Sequence, residues 1–405
     1  MGLKIIHTAD WHIGQTFYDY DRKNEHTLFF AWMKELLKRE AIDLLLIAGD
    51  VFDTPNPSAE SQRLFYHFLQ EITNQNKDLQ IVIIAGNHDS AGRLEAPIPL
   101  LEAMNIWVKG TVKRDLEGKI DFKQFIIPIL QNNSTVGYCM ALPYLRQGDL
   151  LECENFSQGV SEMYTSVLEE ISALKTVNMP IIALGHLQAT GSEIMEGDRA
   201  ERTTIGSLDC ISPDAFDAQI TYTALGHLHK AQQVSKRENV RYSGTPLPMS
   251  FAEKHYKHGV TLVETEANKA ISIERIPFEA PVKLLSIPAE PRPLTEVLSE
   301  IEKLPDGDKT ELSPYLEVKV LITEPEPSLR HQLEEKLKYK AIRLARMVAV
   351  SPKQTSQDEV PISFEEFKAI NPLEMAKSHF KYIHSNEMPP KMEKLLTTVI
   401  EEVIR

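Results

Sequence analysis

Along residues 1–278, short apolar runs alternate with polar clusters rich in Gly, Asp, Asn and His, and then with amphipathic or looped stretches. That alternation is the rhythm of an α/β domain. The runs Lys4 to Thr8, Asp43 to Ala48, Gln80 to Ala85, Pro180 to Leu184 and Tyr222 to Leu225 read as buried strands. Between them, Lys23 to Arg39 and Ser58 to Ile72 carry apolar residues at helical spacing. Ser58 is placed as an N-cap, with Glu60 and Ser61 in the first turn.

The pattern changes around Phe278 to Pro281. A strand (Val282 to Ile287), helix (Leu294 to Leu304), strand (Tyr315 to Ile322), helix (Ser328 to Lys338) and strand (Ala341 to Val350) are expected to follow, making a second, smaller α/β domain. The polar stretch Ser351 to Pro361 reads as a linker. Asn371-Pro372-Leu373-Glu374 then has the form of a helix start, with Asn at the N-cap and Pro at the first helical position. A last helix from about Pro390 sets Leu395, Leu396, Val399, Ile400, Val403 and Ile404 along one face. The organisation expected is therefore 1–278, 279–350 and 351–405, in keeping with a 405-residue chain that is too long for one ordinary core.

Composition adds limits. Apolar residues at 42% and charged residues at 25% fit a globular protein, and no apolar run approaches the ~20 residues that span a bilayer. Met1-Gly2-Leu3-Lys4-Ile5-Ile6 enters a strand directly and lacks the plan of a signal peptide, so a cytoplasmic protein is expected. Cys139, Cys153 and Cys210 have no paired spacing and read as free thiols. A net charge of −14 argues against a protein that coats itself in nucleic acid, because phosphate neutralisation needs facing lysines and arginines. Any such contact is local or supplied by a partner.

The chemistry lies at the strand ends. Asp10-Trp11-His12 follows the first strand, and residues two apart on extended chain share a side, so Asp10 and His12 can reach one ion. Gly49-Asp50-Val51-Phe52-Asp53 closes the second, and a carboxylate such as Asp50 has two oxygens that can bridge two cations. Gly86-Asn87-His88-Asp89 offers an amide oxygen and then an imidazole, while Gly185-His186 and Gly226-His227-Leu228-His229 end two later strands. A lone histidine at a strand end is usually an ordinary hydrogen-bonded residue. Five successive strands ending in Gly or Ala plus a metal-competent side chain, where loops of an α/β sheet converge, point to one site. Asp, His and Asn donors without Cys suit Mn, Fe or Zn better than Ca, and leave open positions. Two such ions, about 3.5–4 Å apart, would clamp a phosphoryl oxygen and activate water, which makes the reaction hydrolysis of a phosphate ester.

Asp10-x-His12, Gly49-Asp50-x-x-Asp53, Gly86-Asn87-His88-Asp89, Gly185-His186 and Gly226-His227-x-His229 resemble, in order, the five motifs of the calcineurin-like metallophosphoesterases. His7-Thr8-Ala9-Asp10-Trp11-His12, Ala224-Leu225-Gly226-His227-Leu228-His229 and Tyr242-Ser243-Gly244-Thr245-Pro246-Leu247-Pro248 narrow the resemblance to the nuclease subunits of bacterial SbcCD complexes. The fold this implies is a β-sandwich flanked by helices, with a small α/β capping domain and a C-terminal helical tail. The resemblance assigns Asp10, His12, Asp50 and His229 to a first ion and Asp50, Asn87, His186 and His227 to a second. His88 matches the family's catalytic histidine, which would protonate the leaving oxygen; a positioned acid is worth ~10²–10⁴ in rate. Asp53 stands where archaeal and eukaryotic relatives carry a histidine. It is expected to orient His88 or a ligand histidine, with a helix-capping or loop carboxylate as the other reading, and Asp89 is expected to fix its loop.

The implied cofactors are two Mn2+, with Mg2+ possible, and the implied substrate is double-stranded DNA at ends and hairpins. The implied partner is an SbcC-type, SMC-like ATPase that receives the terminal helix, in a heterotetramer built on a homodimer of this chain and associated with the nucleoid. Helices near Ser58 to Ile72 and Leu94 to Ala103 would form the dimer. No Gly-rich loop ending in Lys-Ser/Thr occurs, so ATP belongs to the partner. The rival readings are a small-molecule phosphatase or phosphodiesterase, and a non-catalytic scaffold. Of the remaining polar residues, His7 reads as a buried, hydrogen-bonded histidine, and His255 and His258 as members of a Lys-rich surface turn. Lys336, Lys338, Lys340, Arg343 and Arg346 form the densest basic stretch, read either as a DNA contact or as a solvated face.

Overall fold

The computed structural model describes residues 2–176, 178–193, 210–322, 326–351, 373–377, 380, 387–390 and 392–397. Residues up to 351 form one compact unit and those beyond it another.

The first unit begins with β1 (Lys4–Thr8), β2 (Leu44–Ala48), β3 (Gln80–Ile84) and β4 (Ile106–Lys109), and continues with β5 (Ile126–Gln131), β6 (Ser134–Ala141), β7 (Ile181–His186) and β8 (Tyr222–Gly226). It proceeds through β9 (Gln232–Val234), β10 (Arg237–Tyr242), β11 (Gly259–Glu266) and β12 (Lys269–Pro277). These strands build two six-stranded sheets, in the orders β12-β11-β1-β2-β3-β4 and β9-β10-β8-β7-β6-β5. Strands β1 to β4 are mutually parallel, as are β6, β7, β8 and β10. The antiparallel hairpins β11–β12 and β5–β6 lie at the sheet edges.

The sheets pack face to face. In β2, Leu44, Leu46 and Ala48 meet Ile182, Leu184 and Ala224 of the other sheet. The alternate residues Leu45 and Ile47 face the opposite way, into a core with Phe29, Phe30, Phe65 and Phe68. Those phenylalanines come from α1 (Lys23–Arg39) and α2 (Ala59–Gln75), the latter capped by Ser58 Oγ accepting from Ser61 N at 3.0 Å. On the far side α3 (Phe156–Leu174) covers the second sheet through Val160, Met163 and Val167. A strand buried on both faces has no polar side to show, which is why β2 reads Leu-Leu-Leu-Ile-Ala.

After residue 283 come β13 (Leu284–Pro293), α4 (Leu294–Glu302), β14 (Tyr315–Leu321), α5 (Leu329–Lys336) and β15 (Arg343–Val350). They form a parallel three-stranded sheet with its own core of Val297, Ile301, Leu316, Val318 and Leu333. The expected start at Val282 is two residues early, because Val282 packs with Phe17, Phe251 and Tyr315 where this sheet meets the first body. Phe17 stacks on Tyr315 at 4.5 Å, and the Tyr315 hydroxyl donates to Glu25 Oε1 at 3.0 Å.

Of the basic stretch, read from sequence as a DNA contact or a solvated face, Lys336, Lys338 and Arg346 are exposed, and most of its charges are paired. Lys336 pairs with Glu302, Lys340 with Asp306 at 2.8 Å, and Arg346 with Glu317 at 3.0 Å. Arg343 is buried, with its guanidinium 4.1 Å from the Tyr315 ring centroid.

In the second unit, 373–377 and 392–397 are helical, as Asn371-Pro372 and Pro390 led one to expect. Leu395 is 67% exposed there. The linker beyond Ser351, and Val399, Ile400, Val403 and Ile404, lie outside the described residues. No helix among the described residues is long and apolar enough to cross a membrane.

Candidate metal centre

The carboxyl ends of β1, β2, β3, β7 and β8 open on one site, with β1, β2 and β3 parallel in one sheet and β7 and β8 parallel in the other. The chain turns away from each end in an uncommon conformation. Asp10, His12 and Asp50 have φ of 55°, 45° and 49°, and His227 has 103°. Left-handed backbone at a non-glycine residue costs roughly 1–3 kcal/mol, so surrounding bonds must hold it. The Asp10 and His12 amides donate to the carbonyls of Gly49 and Asp50, each at 3.0 Å. Trp11, between the two ligand candidates, is buried among Phe29, Phe30, Phe65 and Phe68 and donates its indole N–H to Thr8 Oγ1 at 2.7 Å. Anchoring Trp11 into the helices leaves its neighbours to face the site. Gly49 and Gly86 are required by close approach: a Cβ on the first would strike the His186 ring, and one on the second the Asp50 carboxylate.

The structure brings together all seven residues singled out as ligands. Asp50 Oδ2 lies 3.7 Å from His12 Nε2 and 3.4 Å from His186 Nε2. Asn87 Oδ1 is 2.9 Å from His186 Nε2 and 3.0 Å from His227 Nδ1. Asp10 Oδ1 accepts from the His227 amide at 2.9 Å and stands 3.9 Å from His186 Nδ1. The His229 ring centroid is 5.4 Å from that of His12. Asp10 Oδ2 and both ring nitrogens of His12 are buried without a hydrogen-bond partner. Such atoms normally find one, so Asp10 Oδ2 and His12 Nε2, the latter 3.7 Å from Asp50 Oδ2, mark a place for a cation, while His12 Nδ1 faces Asp53.

Two overlapping groups, Asp10 with His12 and Asp50, and His12 with Asp53 and His88, each have ligand atoms within 4.8 Å of one another. Oxygen and imidazole donors of this number fit two divalent metal ions.

The electrostatics agree. Burial, helped by the Asp50 charge, raises Asp10 to about 7. Burial also works to raise Asp50, but His186, His12 and His88 reverse it and hold that carboxyl well below the usual range. His186 goes the other way: burial disfavours its charge, yet Asp50 and Asp10 lift it to about 9. Burial depresses His12, and depresses His227 to about 3. The proton on His186 is thus held by Asp50 and Asp10 and that on Asp10 chiefly by burial, and a bound cation would displace both.

Around these donors lie the positioning contacts. His88 is half-buried; its Nδ1–H donates to the Asp53 main-chain carbonyl at 2.9 Å, and its amide donates to Asp50 Oδ1 at 2.8 Å. The His88 ring stands edge-on to His12, with centroids 4.8 Å apart. The Asp53 carboxylate approaches His12 Nδ1 at 3.3 Å without hydrogen-bond alignment, so Asp53 touches His12 by side chain and His88 by main chain. Asp89 accepts from the amides of Val51, Phe52 and Gly86, at 3.1, 3.0 and 2.9 Å, and ties the Asp50 loop to the Asn87 loop.

One residue went unnoticed in the sequence. Glu253, fully buried, accepts from His229 Nδ1–H at 3.0 Å and from the Met249 amide at 3.0 Å, which directs His229 Nε2 toward the site. No motif links it to His229, 24 residues earlier. His258 is likewise no surface residue: it is buried, with Nδ1 3.1 Å from Thr245 Oγ1 and Nε2 3.2 Å from the Glu253 carbonyl. His255 is exposed. His7 is buried, as expected, between the Tyr222 hydroxyl and the Leu225 carbonyl.

Residues 3–231 match the family model of the calcineurin-like phosphoesterases, and residues 280–382 match that described as the type 5 capsule protein repressor C-terminal domain. Among curated proteins, the chain is 37% identical to the SbcD subunit of the nuclease SbcCD from Rhodobacter capsulatus, across 89% of this chain and 90% of that one. It is 26% identical to the Escherichia coli K12 protein of the same description, across 98% of both, and 30% identical to that of Bacillus subtilis, across 68% and 69%.

Proposed function

The chain belongs to the SbcD nuclease subunits of the calcineurin-like phosphoesterase family, and from that premise we propose that it cleaves phosphodiester bonds at DNA ends and hairpins with two manganese ions. The observation that carries this reading is the convergence of seven oxygen and imidazole donors, three of their atoms buried without partners, at five strand ends. The ions, when bound, polarise the phosphoryl group and sharpen an attacking water.

The chain's own residues divide the remaining work. Asp50, whose Oδ2 lies between His12 and His186, would join the two cation positions; Asp10, His12 and His229 would complete one, and Asn87, His186 and His227 the other. Glu253 fixes the His229 ring through its Nδ1–H. His88 holds its Nδ1–H on the Asp53 carbonyl, so Nε2 is the atom that hands a proton to the leaving oxygen. Asp53 keeps His88 and His12 in register.

Residues 279–350 cap the nuclease body. The homodimer uses α2 and the segment Leu94 to Ala103, where Leu100 is 73% exposed. The C-terminal helices receive an SMC-like ATPase of the SbcC type, which supplies much of the DNA-binding charge that a chain of net charge −14 lacks.

The test is an assay of the full chain with manganese, alone and with the ATPase and ATP, on hairpin DNA and on nitrophenyl phosphate esters. Hairpin cleavage that ATP stimulates in the complex is expected. Rapid ester turnover with inert DNA in both states would sink the nuclease reading and leave a small-molecule phosphodiesterase.

A further inference from the structure

A cavity of about 480 Å³ opens beside the cation cradle and shares Asn87, His186 and His227 with it. Its other walls come from the segment after β6 and from α3. The Tyr144 amide donates to the Ala85 carbonyl at 2.8 Å, which ties this segment to the strand that carries Asn87. The Tyr144 ring meets His186 edge-on at 6.2 Å, and the Arg146 guanidinium carbon lies 5.9 Å from the Tyr144 ring centroid. Deeper in, Phe156, Val160 and Leu187 make an apolar wall. Arg146 is exposed at the rim and forms no ion pair among the described residues.

We propose that this cavity seats a single unpaired nucleoside of the cut strand, the one adjoining the scissile phosphate, with Tyr144 as the stacking face and Arg146 on the next phosphate. The inference rests on the nuclease reading and gives it a substrate geometry. Three features lead to it. The cavity shares a wall with three of the proposed cation ligands, so what fills it lies beside the phosphate held there. Its volume, about 480 Å³, suits one small ligand. An aromatic ring, an apolar wall and a guanidinium with no ion pair among the described residues are what a base and its phosphate ask for, and a guanidinium meets phosphate in two parallel bonds where an ammonium gives a point charge. Filling the cavity requires the nucleoside to leave its stack, so cleavage is favoured where the strand is frayed or looped.

The experiment uses the full chain and two oligonucleotides that differ at one position beside the cut: one intact, one with an abasic residue, placed in turn on either side of the scissile phosphate. Base stacking on an aromatic residue corresponds to a loss of roughly 5- to 150-fold. The wild type should therefore cut the abasic strand at least fivefold more slowly at one of the two positions. That ratio should fall to about one in Tyr144→Ala and persist in Tyr144→Phe; because it compares two DNAs on one protein, folding and metal content cancel. A 2-aminopurine at the same position should be quenched by wild type in chelator and not by Tyr144→Ala. An abasic penalty equal in wild type and Tyr144→Ala, or absent at both positions, overturns the proposal. A wild type that turns over bis(4-nitrophenyl) phosphate while leaving both DNAs whole refutes the nuclease reading instead.

Discussion

Replacing Asp89 perturbs the frame of the site without touching a proposed ligand. Its carboxylate is 3% exposed and takes three backbone donors: Val51 and Gly86 at Oδ2, Phe52 at Oδ1. Asp89→Ala strands all three. An unsatisfied buried donor costs about 1–3 kcal/mol, and entry of a water into the vacated space moderates the sum to roughly 3–6 kcal/mol. Asp89→Asn is milder, since its amide oxygen can keep the Val51 and Gly86 bonds while its NH2 opposes the Phe52 amide; one charge-assisted bond lost is about 1.5–3 kcal/mol. For a body of this size, melting in chelator should fall by roughly 2–4 °C in Asp89→Asn and 4–8 °C in Asp89→Ala. Because Asp89 joins the loops of Asp50 and Asn87, manganese affinity should fall as well, about 10- to 100-fold in Asp89→Ala. Thermal unfolding and manganese titration on the same samples check this. An Asp89→Ala protein that melts within about 2 °C of wild type, or binds manganese as tightly, would refute the reasoning.

His88→Ala should keep both ions and lose about 10²–10⁴ in DNA cleavage, read by metal analysis beside a nuclease assay; metal lost with activity would make His88 a ligand. Glu253→Ala should weaken manganese binding roughly 10- to 100-fold, and Glu253→Gln less, because the amide oxygen can still accept from His229; equal affinities in a titration would remove Glu253 from its positioning role. His7 gives a pH dependence. Burial, set against a hydrogen bond to Leu225, lowers its folded-state value to about 3 from 6.5. The unfolded chain therefore takes the proton first, and the stability His7 contributes is complete above pH 6.5 and is lost as pH falls toward 3, at about 1.4 kcal/mol per unit. Unfolding of His7→Gln in chelator between about pH 6 and 4 should show a slope shallower by that amount, and parallel slopes would contradict it.

The site was legible because its grammar is local. A ligand at a strand end needs a turn, the turn needs Gly or a strained residue, and the partner ligand stands two positions along; Asp10 with His12 and His227 with His229 show that spacing openly. The helices were legible for the same reason, α1 to the residue and α2 from its Ser58 cap.

What stayed hidden depends on contacts between distant segments. Glu253 reaches His229 across a fold in the chain, and His258 is buried by Thr245 and Glu253, which polarity alone made look like surface. The partners of the basic stretch, Glu302, Asp306 and Glu317, lie elsewhere in the chain and could not be read from it. The edge strand β12, mostly exposed or half-exposed along its length, lacks the unbroken apolar run that marked β2.

The central claim is that these residues hold two cations joined through Asp50. Manganese bound per chain at equilibrium, counted by elemental analysis for wild type and Asp50→Ala, tests it most directly. The account predicts two ions in the wild type and near-complete loss in the variant. A wild type that saturates at one ion or none, or an Asp50→Ala protein that still binds two, would contradict it.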